Sequence, residues 1–283
     1  MIDPLLPHLL DIVSDPASEG LILAGGFGIR LKMERVRTSG LRTLITDVPP
    51  ARATRDLDFF LSLSLFAHKE RGAAVRDLLN RLGYSEYTPN YQFEKPLDSE
   101  NPERKVRVDL LARPPGPGDG IRVKGPRVKR SGLGLHGRVT PEAFAVENNP
   151  TRLDAHGARS DGGRAEASVF VPHPYAWLNM KVKAAHDWLE MERGKIPRKP
   201  NSERHVFDVY VLTAMLTEAE LDEAAEYAGR YADHAQAADV RRCAIALFGS
   251  NSASGTLEAA RQCPGRFEGA VFDEAIRRAL GIC

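Results

Sequence analysis

Arg52-Ala53-Thr54-Arg55-Asp56-Leu57-Asp58-Phe59-Phe60-Leu61 sets two carboxylates two residues apart, just ahead of an apolar run. On a β-strand, residues i and i+2 point to the same face. The pattern therefore predicts a strand with Asp56 and Asp58 side by side on one face and Leu57, Phe59 and Leu61 facing a core. Neighbouring carboxylates repel one another, and a cation relieves the repulsion. Mg²⁺ suits such a pair because it takes carboxylate and polyphosphate oxygens together. The start of a strand with two solvated aspartates satisfies the same pattern, so these residues alone leave both readings open.

The 283 residues allow one large domain or two ordinary ones. A hydrophobic content of 42% and a charged content of 27% are those of a water-soluble globular chain. The net charge of +1 excludes a global field for nucleic acid, so any basic surface must be local. Cys243, Cys263 and Cys283 are widely spaced and make no zinc pattern, which points to a reducing compartment. Met1 to Asp15 lacks a cationic start and carries Asp3, Asp11 and Asp15, so it does not read as a signal peptide. No apolar run reaches the roughly twenty residues needed to span a bilayer. The expectation is a cytoplasmic protein with no membrane partner.

Leu5, Leu6, Leu9, Leu10 and Val13 recur at helical spacing and predict an opening helix over residues 4–14. Leu21-Ile22-Leu23-Ala24 runs into Gly25-Gly26-Phe27-Gly28, a strand-to-helix turn where backbone N–H groups can approach a phosphate. A purely structural turn would use the same glycines. Residues 35–50 read as an irregular insertion, and 66–82 as a helix. Residues 84–95 read as a hairpin turning at Pro89-Asn90.

Lys105 to Leu111 alternates, with Val106, Val108 and Leu110 on one face and Arg107 and Asp109 on the other. Asp109 is thus a candidate to join Asp56 and Asp58. From Ile121 to Pro141 there are six Lys or Arg residues and no acid: Arg122, Lys124, Arg127, Lys129, Arg130 and Arg138. That run suits either a solvated hairpin face or a phosphate-binding surface, and it has no interleaved aromatics for base stacking. Residues 147–168 are poor in apolar side chains and read as a long loop before a short strand, Val169-Phe170-Val171.

Beyond Pro172 the pattern becomes helical: Pro174 to Glu192, Arg204 to Leu216, then three more segments with breaks near Ala235, Gly249 and Cys263. The predicted domains are 1–172, mixed α and β, and 173–283, all helical.

Several of these pieces, in this order, resemble a known family. Gly25-Gly26-Phe27-Gly28-Ile29-Arg30-Leu31 is similar to the glycine opening of the AbiEii-type nucleotidyltransferases, toxins of type IV abortive-infection toxin–antitoxin loci, to which the MenT toxins are also similar. Arg52 to Phe59 resembles their Arg-x-Ser/Thr-x-Asp-Leu-Asp-Phe. Val106 to Leu111 resembles the strand with their third acid. Asn179-Met180-Lys181 and Arg204-His205-Val206-Phe207-Asp208-Val209-Tyr210 resemble their later helices. His205 stands where an aspartate is common, so no role passes to it. The resemblance covers residues 21–216.

It implies an α+β fold: a polymerase-β-like nucleotidyltransferase domain with a small mixed sheet, followed by a C-terminal helical bundle. It implies an enzyme that moves NMP from an NTP to a macromolecular acceptor, tRNA foremost, as a phage-defence toxin restrained by an antitoxin. Transfer to a small hydroxylated molecule such as an antibiotic, and an inactive nucleotide- or partner-binding module, are the alternatives. Asp56, Asp58 and Asp109 would hold two Mg²⁺ ions. Gly25, Gly26, Arg52, Thr54 and Lys181 would bind the nucleotide, and Asp208 would orient Lys181 or assist proton transfer. Arg122, Lys124, Arg127, Lys129 and Arg130 would meet RNA.

Overall fold

The computed structural model describes residues 3–97, 102–121, 123–129 and 134–282, the side chain of Lys124 excepted. In chain order the elements are α1 (Leu6–Val13), β1 (Leu21–Leu23), α2 (Gly25–Ser39), β2 (Asp56–Leu61), α3 (Leu63–Ala67), α4 (Lys69–Arg81), β3 (Ser85–Thr88), β4 (Gln92–Pro96) and β5 (Lys105–Ala112). There follow β6 (Val123–Lys124), β7 (Arg127–Lys129), β8 (His136–Val139), β9 (Thr151–Ala158) and β10 (Arg164–Val171). The last six are α5 (Pro174–Glu192), α6 (Arg204–Ala214), α7 (Glu218–Arg230), α8 (Ala235–Phe248), α9 (Ser254–Gln262) and α10 (Gly269–Leu280). The fold is mixed α+β, and among the described residues no helix is long and apolar enough to cross a membrane.

The chain divides into two compact units. One comprises Met1–Leu31, Ala53–Pro141 and Val146–Pro172; the other comprises Lys32–Arg52, Glu142–Ala145 and His173–Cys283. Residues 32–52 and 142–145 therefore count with the second unit, whereas the sequence boundary kept them with the first.

The first unit is built on a mixed sheet in the order β6-β7-β8-β5-β2-β1-β10-β9. The β3–β4 hairpin attaches to β5. Pairs β1–β10, β2–β5 and β5–β8 are parallel, and the others are antiparallel. One edge of β5 is shared: β4 pairs with residues 105–109 and β8 with Leu111 and Ala112. Leu57, Phe59 and Leu61 of β2 are buried with Val106, Val108 and Leu110 of β5, as their alternation requires. The sheet is mixed, as expected, and has ten strands among the described residues.

Residues 147–168 are the main correction. They are not a loop: β9 and β10 form a hairpin in continuous antiparallel register from Arg164↔Ala158 to Val171↔Thr151. On β9 only Leu153 and Ala155 are buried, with α1 packed nearby, while Arg152, Asp154 and His156 are exposed. A strand at the end of a sheet needs few apolar residues, which is why composition misrepresents it. Residues 35–39 continue α2 instead of starting an insertion. The helix expected over 66–82 is broken at His68, whose backbone is extended, between α3 and α4.

In the second unit α5 starts where the side chain of His173 accepts the Tyr175 N–H and Pro174 occupies the first turn. It packs against α6, α7 and α8. Among the described residues four helices, not three, follow α6. α7 opens with a reciprocal capping box between Thr217 and Glu220. The irregular stretch after α2 is tied down, because Leu44 N–H donates to Leu216 O (2.8 Å) and Ile45 is buried. The thiols of Cys243 and Cys263 are free and buried.

Candidate active site

The residues nominated by sequence fall into two groups, one in each unit. In the first unit β2 and β5 run parallel with Asp56↔Arg107 and Asp58↔Asp109 in register. Matched residues on parallel strands point to the same side, and so do i and i+2 on one strand. Asp56, Asp58 and Asp109 therefore share one face of the sheet.

The β1–α2 turn meets this face. Ala24 N–H donates to the Asp58 carbonyl at 2.8 Å. Gly25 has φ 63°, and a Cβ placed on it would overlap the Asp58 carboxylate. Two constraints thus demand glycine here, the left-handed backbone and the closeness of a side chain. Gly26 is buried in the first turn of α2. Thr54 sits just before β2, where its hydroxyl accepts the Asp56 N–H at 3.4 Å. Arg30 of α2, whose sequence position left its partner open, pairs with Asp3.

Asp109 is electrostatically loaded. Burial pushes its carboxyl above the usual carboxylate value, and the Asp56 charge adds to the push. A hydrogen bond from Gln92 Nε2 (3.1 Å) and the charges of Arg138 and Arg107 oppose the shift without cancelling it. An incompletely compensated carboxylate beside two others has the donor chemistry of a hard divalent cation. Among the described residues, no group of three or more His, Cys, Asp or Glu side chains stands close enough to hold a metal ion as it is placed.

The basic run is only partly described: Arg122, Arg130 and the side chain of Lys124 lie outside the described residues. Arg127 pairs in register with Arg138, and Lys129 with His136. Arg138 is matched to Leu111, two residues beyond Asp109 on β5. Arg127, Lys129 and Arg138 therefore stand on the carboxylate face.

In the second unit Asp208 of α6 is 2% exposed and gathers two cations. Arg52 grips it with two bonds, Nε to Oδ1 and Nη2 to Oδ2, both 2.9 Å. Lys181 of α5, 6% exposed, reaches Oδ2 at 2.7 Å. Burial pushes the Asp208 carboxyl up, but Lys181 and Arg52 outweigh it and hold the group below its ordinary value. His205, one turn earlier on α6, lies 3.9 Å from the same carboxylate. Its own burial, then Lys181, Arg52 and Lys199, push its imidazole down to about 4 despite Asp208.

Sequence reasoning left Gln92 and His205 out of the site. Gln92 carries no motif, and only the β4–β5 register places it beside Asp109. His205 was visible within the Arg204–Tyr210 helix, but nothing there announced its cationic surroundings.

No curated protein matches the chain. A family model does: the nucleotidyl transferase AbiEii toxin of Type IV toxin–antitoxin systems matches residues 9–279. That match runs past the resemblance at both ends and reaches from α1 into the last turn of α10. The glycine turn, the strand carboxylates and the Lys181–Asp208 pair thus lie within one continuous correspondence, and the chain belongs to the AbiEii nucleotidyltransferase toxin family.

Proposed function

We propose that this chain transfers NMP from an NTP to the hydroxyl of an RNA, with tRNA the first candidate. Membership of the family already implies a nucleotidyltransferase toxin and an antitoxin partner. The observation that carries the finer reading is the β2–β5 register, which collects Asp56, Asp58 and Asp109 on the face where Arg127, Lys129 and Arg138 also stand.

In this reading Asp56, Asp58 and Asp109 would hold Mg²⁺, two ions in the full form, and such a site would supply charge neutralisation for the triphosphate and a lowered pKa for the attacking hydroxyl. Gly25 and Gly26 offer the backbone N–H groups of a helix start to phosphate. Thr54 fixes the backbone of Asp56 at the head of its strand. Lys181 would serve as a nucleotide-binding cation, and Asp208 keeps both that lysine and Arg52 from swinging free. Asp208 is therefore a positioning residue. With two cations bound to it and its carboxyl held ionised, it is a poor proton shuttle.

The test is incubation with Mg²⁺, each labelled NTP in turn, and total tRNA or cell extract. Label on RNA that disappears when Mg²⁺ is chelated supports the proposal. Label on small molecules alone transfers the assignment to a small hydroxylated acceptor. No label with any NTP leaves a binding module.

A further inference from the structure

We propose that the β3–β4 hairpin is a stacking platform for unpaired nucleotides of an RNA strand, with Tyr87 and Tyr91 taking the bases and Arg107, Arg127 and Arg138 the adjoining phosphates. The proposal rests on the function proposed above and deepens it by naming the form of acceptor that the carboxylate face receives.

The basic run has no aromatics of its own, but the fold supplies them from elsewhere in the chain. The Arg127 guanidinium lies 4.3 Å from the ring centre of Tyr91, and that of Arg107 lies 4.7 Å from the ring centre of Tyr87. Pairs of this kind occur about once per 70–80 residues in proteins, so their existence alone means little. Their position is what matters. Arg107 is in register with Asp56 on one side and Glu94 on the other. Arg127 is in register with Arg138, whose charge acts on Asp109. Gln92, the residue after Tyr91, donates its amide to Asp109. Both arginine–tyrosine pairs therefore border the carboxylates on the same face.

The hairpin is shaped for presentation. Among the described residues β3 pairs only with β4, and its register shifts between Glu86 and Thr88, so Tyr87 sits at an irregularity on an edge strand. The residue is left 56% exposed. An exposed ring with a guanidinium against it gives a base a flat surface, and the guanidinium itself can stack or bind phosphate. Bases inside a duplex are already stacked and cannot use such a surface, which selects an unpaired strand. An acidic peptide would find the same cations but would bring no flat base to lie on the rings.

The probe is a fluorescein-labelled eight-nucleotide oligocytidylate, followed by anisotropy over a salt series beside an RNA duplex of equal length and an oligoglutamate. The full chain is compared with Tyr87→Ala, Tyr91→Ala and the corresponding Tyr→Phe variants. Each alanine should weaken single-strand binding by about 5- to 100-fold, the range for loss of one stacked base. Phenylalanine should restore it, and Arg127→Gln with Arg138→Gln should flatten the salt dependence. Unchanged binding by the alanine variants, equal affinity for duplex, or an effect confined to oligoglutamate overturns the platform. Label transfer on the same preparations separates the two readings. Wild type that binds the oligonucleotide but labels nothing defeats the proposed function alone. Wild type that labels RNA while the tyrosine variants keep its KM defeats the platform alone.

Discussion

Asp58 of β2 and Asp109 of β5 occupy matched positions on neighbouring parallel strands, so their side chains leave the sheet on the same side. Like charges held that way repel one another, a repulsion that the cation of the proposed function would relieve. Asp58→Asn or Asp109→Asn should lower label transfer by about a thousandfold, the scale of several kcal/mol of lost charge stabilisation. Thermal stability should hold or rise, since a repulsion is removed. Nearly full transfer by either variant would exclude that carboxylate from the chemistry.

Gly25 faces the Asp58 carboxylate with φ 63°. Gly25→Ala must either adopt a left-handed backbone, at about 1–2 kcal/mol, or push Asp58 aside. The expected result is a modest drop in urea midpoint with a much larger loss of transfer, because a displaced carboxylate costs more in rate than in stability. Equal proportional losses in both would mean that the glycine serves the fold alone.

Asp208 pairs with both Arg52 and Lys181. Its replacement by alanine strands two cations in a buried place, and breaking such an arrangement costs about 3–5 kcal/mol. Arg52→Ala should cost less, because Lys181 keeps its partner. Equilibrium unfolding in urea gives the comparison, and a cost below about 1 kcal/mol for Asp208→Ala would show that the trio is not a structural clamp.

His205 provides the pH dependence. Its imidazole, pushed down to about 4 in the fold, stays neutral where the unfolded chain, near 6.5, is already protonated. Between those values the unfolded state binds more protons, so stability falls as pH drops from about 6.5 toward 4 and the contribution is fully present above 6.5. His205→Asn should flatten the stability profile in that window. In proton NMR, Lys181→Met should raise the His205 titration, since the Lys181 charge is among the causes of the depression. A midpoint near 6.5 in the wild type would refute the account.

The sequence made β2 and β5 legible because their alternation is strict and one face is fully buried. With two strands known to carry Asp56, Asp58 and Asp109, the shared face still depended on register, which no local signal encodes. The Arg52–Asp208 grip joins residues 156 apart. A family resemblance nominated both ends, yet only the packed helices show that they meet. Tyr87 and Tyr91 lie in a segment that reads only as a hairpin, Arg107 on an alternating strand, and Arg127 in a basic run that suits a solvated face or a phosphate-binding surface. Their pairing required β3 to β8 to be assembled into one sheet.

β9 adds a consequence that concerns neither catalysis nor binding. It is the outermost strand on its side, and outermost strands invite other chains to add themselves. Arg152, Asp154 and His156 line its exposed side, and charges along such a margin oppose recruitment of a foreign strand. The polar residues that disguise this segment as a loop also make the sheet terminate itself, so that crowded copies of the chain are kept from fusing edge to edge.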